Sequence, residues 1–276
     1  MHYAVQRYAA TRPWARRVGQ VYGSSVDFKP AWEECMALVK RELERAGQVF
    51  QLPASVLSTE QMLADAYGHF CRHGRVVSHL EPVLSAALGA TRLPSNMPDR
   101  LNLPADAFFL HVEGGAAGGA FVLHDKMRQQ LLILLLRDDF SRNGDWLAGG
   151  DSCLSLSISY PGELAPQIEF VPEAWSALLA AVLNGFAVMT QPKATLERGW
   201  EAAAPIEIVQ RALRPDCFKT RKKNRAELLK AGYQEVSFCR MAELAEAPAG
   251  YQTQGYWRRQ ASEAGSRLVW VAPRQA

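Results

Sequence analysis

Residues 107–137 read AFFLHVEGGAAGGAFVLHDKMRQQLLILLLR, and their reading decides the fold class. Phe108, Phe109, Leu110 and Val112 form one short apolar run, Phe121, Val122 and Leu123 a second, and residues 131–136 a third. Apolar runs this short, bounded by glycine and polar residues, are strands; the unbroken third run suits a strand covered on both faces. The glycine-rich residues 114–119 that separate the first two runs are too few for a parallel crossover, which takes roughly a dozen. The stretch therefore predicts an antiparallel meander. Residues 153–159 extend it, with Leu154, Leu156 and Ile158 alternating against Ser155, Ser157 and Ser159 so that one face is apolar and the other polar.

Downstream, Pro172 opens an apolar helix to about Thr190 that carries Trp175, Leu178, Val182 and Phe186 and is expected to cover the sheet. A short helix follows over 205–213, then a basic segment over 211–230, a strand near 236–239, and a hairpin of residues 256–260 and 268–271. Upstream, Trp32, Cys35, Met36, Val39 and Leu43 recur at helical spacing between Pro30 and Gly47. Ser58 and Gln61 have the capping-box form, predicting a second helix that ends near Gly74, and residues 78–90 suit a third. Pro94, Pro98 and Pro104 mark a loop, and residues 1–29 read as an irregular or partly helical basic, aromatic arm. The expected fold class is α+β: N-terminal helices in residues 1–104, then an α+β region over 105–276 with a central antiparallel meander under a long apolar helix. One continuous domain over 30–276 is the alternative.

Composition excludes several classes. Hydrophobic residues make up 48% and charged residues 21% of the chain, which argues against disorder. Cys35, Cys71, Cys153, Cys217 and Cys239 form no C-x-x-C pair, so neither a thiolate zinc site nor a disulfide framework is expected, and reduced thiols point to the cytoplasm. The longest apolar run is far short of the roughly 20 residues that span a bilayer, so no membrane partner is expected. The sequence calls for no metal and no cofactor.

Three groups of residues bear on catalysis. The glycine run lacks the G-x-G-x-x-G spacing and any following Lys-Ser or Lys-Thr, so it reads as a hairpin tip rather than a phosphate loop. His69 and His73 lie four apart, as ligands on one helix face would, with His79 close behind. Arg72 to His79 also resembles the Arg-x(4–6)-His motif of HEPN-type ribonucleases, in which both residues act on a phosphodiester from one helix. Asp138 and Asp139, followed by Asp145 and Asp151, stand after the buried strand, where carboxylates either hold magnesium or build turns. Catalytic candidates are thus Arg72, His79, Asp138 and Asp139, and whether the protein is an enzyme stays open.

Charge clustering is the stronger signal. Over 211–230, Arg211, Arg214, Lys219, Arg221, Lys222, Lys223, Arg225 and Lys230 face only Asp216 and Glu227, a local net of +6 in a chain of +3, so the remainder carries −3. Such clusters bind phosphate backbones by releasing condensed counterions, or else form a solvated helix face. Near the C-terminus, Tyr256-Trp257-Arg258-Arg259-Gln260 sets aromatic faces beside guanidinium groups, a pairing suited to unpaired bases. This ending, with Gly255, Gly265, Arg267, Leu268-Val269-Trp270-Val271 and Pro273, resembles that of a set of uncharacterised bacterial, phage and plasmid proteins that close on G-[HY]-W-R-x-Q, a glycine, an arginine and an apolar strand. Residues 103–112 and 119–122 are also similar to mid-chain strands of that set. Tyr256 stands where those proteins commonly carry histidine, so no role of that histidine transfers. The resemblance implies a mobile genetic element as the setting.

The resulting expectation is an accessory protein that binds nucleic acid or a nucleoprotein through Lys219, Arg221, Lys222, Lys223, Arg225, Arg258, Arg259 and Arg267. The alternatives are a nuclease or nucleotide-directed transferase or toxin, and an inhibitor of a host protein complex acting through its surface alone.

Overall fold

Strands that are apolar on both faces need cover on both, and the computed structural model supplies it. The structure describes residues 3–47, 54–114, 118–140, 152–191, 193–214, 217–241, 255–262 and 265–272. Among the described residues, seven strands form one mixed sheet: β1 (Val77–Leu80), β2 (Ala107–Val112), β3 (Gly118–Asp125), β4 (Gln130–Arg137), β5 (Cys153–Ser159), β6 (Ala194–Trp200) and β7 (Glu235–Met241), in the order β5-β4-β3-β2-β1-β7-β6.

Strands β2 to β5 are the expected antiparallel meander. The sheet as a whole is not a meander. β1 lies parallel to both β2 and β7, and β6 runs antiparallel to β7 at the edge. The helix expected over 78–90 is corrected accordingly: its first residues belong to β1, and α5 (Pro82–Ala90) begins only after Glu81. Pro82 is the physical reason. It disfavours helical backbone at the preceding residue, and Glu81 has φ −60 and ψ 153, an extended conformation.

One face of the sheet is covered by α1 (Ala4–Thr11), α2 (Ala15–Ser24), α3 (Phe28–Gly47) and α4 (Ala54–Arg72), whose Tyr8, Trp14, Val39 and Phe70 meet Val77, Phe109, Phe121 and Val236 of the strands. The N-terminal arm is thus helical and buried, because Trp14, Val18, Val21 and Tyr22 fall on one helical stripe. Among the described residues, those on both sides of position 104 pack into the same cores. The capping box at Ser58 is overturned: α4 starts four residues earlier, with Leu57 packed on the core and Glu60 fully buried. Glu60 accepts hydrogen bonds from Arg12 Nη2 and Nε at 2.8 and 3.2 Å, and neither side chain has exposed surface. Helix α4 ends as expected near Gly74, whose φ of +95 suits glycine.

The opposite face is covered by α5 and α7 (Glu173–Met189), with the short α6 (Ala165–Ile168) between β5 and α7. Pro172 caps α7, as read from the sequence. Asn184, fully buried in this apolar helix, donates from Nδ2 to the carbonyls of Leu88 and Thr91, each at 2.9 Å, and accepts from Trp257 Nε1 at 2.8 Å. That network fastens the separate hairpin β8 (Tyr256–Ser262) and β9 (Gly265–Val271), where Trp257 pairs with Trp270 and Trp270 is core.

The glycine run is more than a tip. β3 starts at Gly118, and a Cβ on Gly119 would lie 2.5 Å from Phe109 Cζ and 2.6 Å from the Leu110 carbonyl oxygen. Glycine is required there by close packing; residues 115–117 lie outside the described residues. Among the described residues no helix is long and apolar enough to cross a membrane.

Candidate functional site

The basic segment folds into α8 (Ile206–Leu213) and α9 (Phe218–Lys230). Asn224 and Leu228, four apart, are the buried positions of α9; Leu228 joins Ala212 and Trp200 in a small core beside β6. That core sets the rotation of α9. Phe218, Arg221, Lys222 and Arg225 then fall on one stripe at helical spacing, while Lys219 and Lys223 lie exposed on the outer flank.

This stripe turns toward one face of the β6–β7 edge, where Trp200 and Glu235 are register partners and Arg198 lies two residues before Trp200. Together with Ala212 and Leu213 these residues line a cleft of about 590 Å³. Among the described residues, four cationic side chains thus surround one carboxylate. Glu235 is held by Arg225, at 2.8 Å from Nε and 2.6 Å from Nη2. The Arg221 guanidinium sits 5.6 Å from the centre of the Phe218 ring, which is 66% exposed, and Trp200 lies beneath as a buried floor. Chemically the cleft offers guanidinium and ammonium donors for anions and an exposed ring for a planar group.

The tail arginines go elsewhere. Arg258 and Arg259 are exposed on β8 and do not line the cleft. Arg267 pairs in register with Gln260, and its side chain lies outside the described residues, as does Pro273.

Two of the catalytic candidates are separated by the fold. Arg72 is the last residue of α4 and donates to the Val26 carbonyl at 3.2 Å, whereas His79 lies in β1, so the shared helix of the HEPN-like motif does not exist. The break after Arg72 at Gly74 is its cause. Asp138 takes Arg7 on its backbone oxygen at 2.9 Å, with the Arg7 guanidinium 3.8 Å from its carboxylate; Asp139 is exposed, and Asp145 and Asp151 lie outside the described residues. His69 stacks on Phe28 with ring centres 4.8 Å apart, and burial lowers its pKa against the opposing pull of Asp65.

His79 instead joins a cluster that sequence reasoning missed. His79 and His111 are register partners on adjacent parallel strands, and Glu113 follows two residues on, so all three lie on the face covered by α1. His79 Nε2 is 2.8 Å from a Glu113 carboxylate oxygen, and His79 Nδ1 is 3.2 Å from the Tyr3 hydroxyl. The His111 ring stands edge-on to both Tyr3 and His79, with centres 4.9 Å apart in each case. Burial, with Glu201 and Glu113 adding to it, lifts the Tyr3 pKa well above the phenol range, so its hydroxyl keeps its proton. The available signal was a polar His-x-Glu interrupting an otherwise apolar strand.

Compared with known proteins, the chain matches no family model, no curated protein and no solved structure, so the functional reading is carried by its own residues.

Proposed function

We propose that the protein binds single-stranded nucleic acid in the cleft between α9 and the β6–β7 edge. The observation that carries this reading is the convergence of Arg198, from a strand, with Arg221, Lys222 and Arg225, from a helix, around Trp200 and the exposed Phe218. Cations along a groove take the phosphates, and an exposed aromatic ring takes a base by stacking, which is how sequence-tolerant single-strand sites work. The size of the cleft favours a strand over a duplex: about 590 Å³ is the scale of a small-ligand pocket, roughly 300–1,000 Å³, and admits an unstacked nucleotide but not paired DNA. The −3 carried by the rest of the chain repels a polyanion from other surfaces and so directs it to this one.

A mobile genetic element is the setting we infer, from the similarity of the C-terminal segment to phage and plasmid proteins. Fluorescence anisotropy with a labelled oligonucleotide at low salt tests the binding reading. The wild-type protein should bind, and Arg221→Glu with Lys222→Glu should abolish binding while leaving the circular dichroism spectrum unchanged. Lack of binding by the wild type, or full binding by the double variant, overturns it. Recovery of a protein partner by a chain with no affinity for free DNA or RNA would replace it with an inhibitor of a host complex.

A further inference from the structure

We propose that His79, His111 and Glu113 form a site for a divalent first-row transition ion at the carboxyl ends of the parallel strands β1 and β2. Val77, Phe109, Phe121 and Val236 fill the same sheet face with hydrocarbon, and residues 79 and 111 could have continued that pattern. Instead two imidazoles stand there, 7% and 5% exposed, beside a carboxylate. Buried polar groups without a task are penalised, and departures from an apolar pattern concentrate at functional sites.

The donor set is chemically coherent. Two histidines and one carboxylate are the ligands of catalytic zinc and of non-haem iron(II), and three protein ligands leave coordination positions open for water or substrate. Each residue offers a ligand atom, and these atoms all lie within 4.8 Å of one another. A tetrahedral ion with ligand bonds near 2.0–2.1 Å needs its ligand atoms about 3.3 Å apart. The His79–Glu113 contact at 2.8 Å must therefore open slightly, and the widest pair must close by no more than roughly 1.5 Å, a rotamer-scale adjustment.

The surroundings supply the outer shell. With Nε2 on the ion, the Nδ1 proton of His79 is accepted by the Tyr3 hydroxyl, which fixes the tautomer in the way metal-bound histidines require. The Glu113 side chain is 39% exposed, which gives the ion a route from solvent. The position also obeys a fold rule: β1 has parallel neighbours on both sides, and sites in such sheets form beyond the carboxyl ends of the strands. The inference stands apart from the nucleic-acid reading, since it uses different residues on the opposite face of the sheet.

The test is titration of the chelator-treated full chain with Co²⁺, followed by visible absorption, and competition with Zn²⁺. One Co²⁺ per chain with d–d bands is expected, displaced by Zn²⁺. His111→Ala should remove the bands. Should that variant fail to fold, Glu113→Gln decides, because it keeps side-chain size at a partly exposed position; its affinity should fall by more than about tenfold, the lower end of what losing even an outer-shell partner costs. Zn²⁺ should raise the thermal midpoint of the wild type and not of Glu113→Gln. Cys217→Ser, which removes the exposed thiol, should bind as the wild type does. Absence of d–d bands, retention of full affinity in Glu113→Gln, or loss of the bands in Cys217→Ser overturns the proposal.

Discussion

The cleft beside α9 and the polar groups under α1 both gather charge on an apolar framework, but one does so in water and the other out of it. In the cleft Arg221 and Lys222 stay solvated, and even the Arg225–Glu235 pair keeps 46% and 26% of its side-chain surface exposed. Under the helices, Arg12 and Glu60 have no exposed surface at all. Two charges 4 Å apart attract by about 1 kcal/mol in bulk water and about 4 kcal/mol at an effective dielectric of 20, while desolvating either alone costs several kcal/mol. Buried charges are therefore committed to each other and organise the fold. Solvated charges on a helix stripe remain available to a ligand.

The sharpest way to break this contrast is to remove half of the buried pair. Glu60→Gln leaves the Arg12 guanidinium buried without its counterion and should lower unfolding free energy by about 3–5 kcal/mol, read from denaturant midpoints. A loss under about 1 kcal/mol would show the pair to be no different from a surface one. Next in size is Phe218→Ala, expected to weaken oligonucleotide binding by about 1–3 kcal/mol, the stacking contribution of one base, with stability unchanged within about 0.5 kcal/mol because the ring is solvated. Equal loss of folding stability would make Phe218 part of the framework. Glu235→Gln is milder. It removes the one carboxylate that lines the cleft among the described residues and releases Arg225, so affinity should rise a few-fold while stability falls by less than about 1 kcal/mol; a drop in affinity would mean that the pair shapes the site.

The gentlest probe is acid. Burial lowers the pKa of both His69 and His124 below the ordinary 6.5, with Lys126 adding to the effect at His124. Between 6.5 and those lower values the unfolded chain binds protons that the native chain refuses. Stability should thus be flat above pH 6.5 in respect of these groups and fall as pH drops below it, and His124→Gln should flatten the fall in a denaturation series across pH.

What the sequence made legible follows the same physical line. The basic stripe of α9 could be read because a helix brings its own neighbours together, strands β2 to β4 because each apolar run follows the last closely in sequence, and β5 because its leucines and serines alternate. Arg198 and Trp200 could not, since β6 (Ala194–Trp200) is a half-exposed edge strand with no clear alternation, and only its pairing with β7 carries it to the cleft. His79 and Glu113 are 34 residues apart and meet through a parallel register that no local pattern encodes. The Arg72–His79 pairing failed for the converse reason: nearness in sequence was cancelled by the chain reversal at Gly74.

The salt dependence of oligonucleotide binding tests the central claim most directly. For a single strand, log Kobs against log salt should be linear, with a slope of about −0.7 for each phosphate neutralised, and Arg198→Ala, Arg221→Ala and Lys222→Ala should each make it shallower by about 0.7. Lys219→Ala and Lys223→Ala, on the outer flank of α9, should leave it almost unchanged. A slope near zero for the wild type, or one reduced equally by inner and outer substitutions, would contradict the assignment of the cleft.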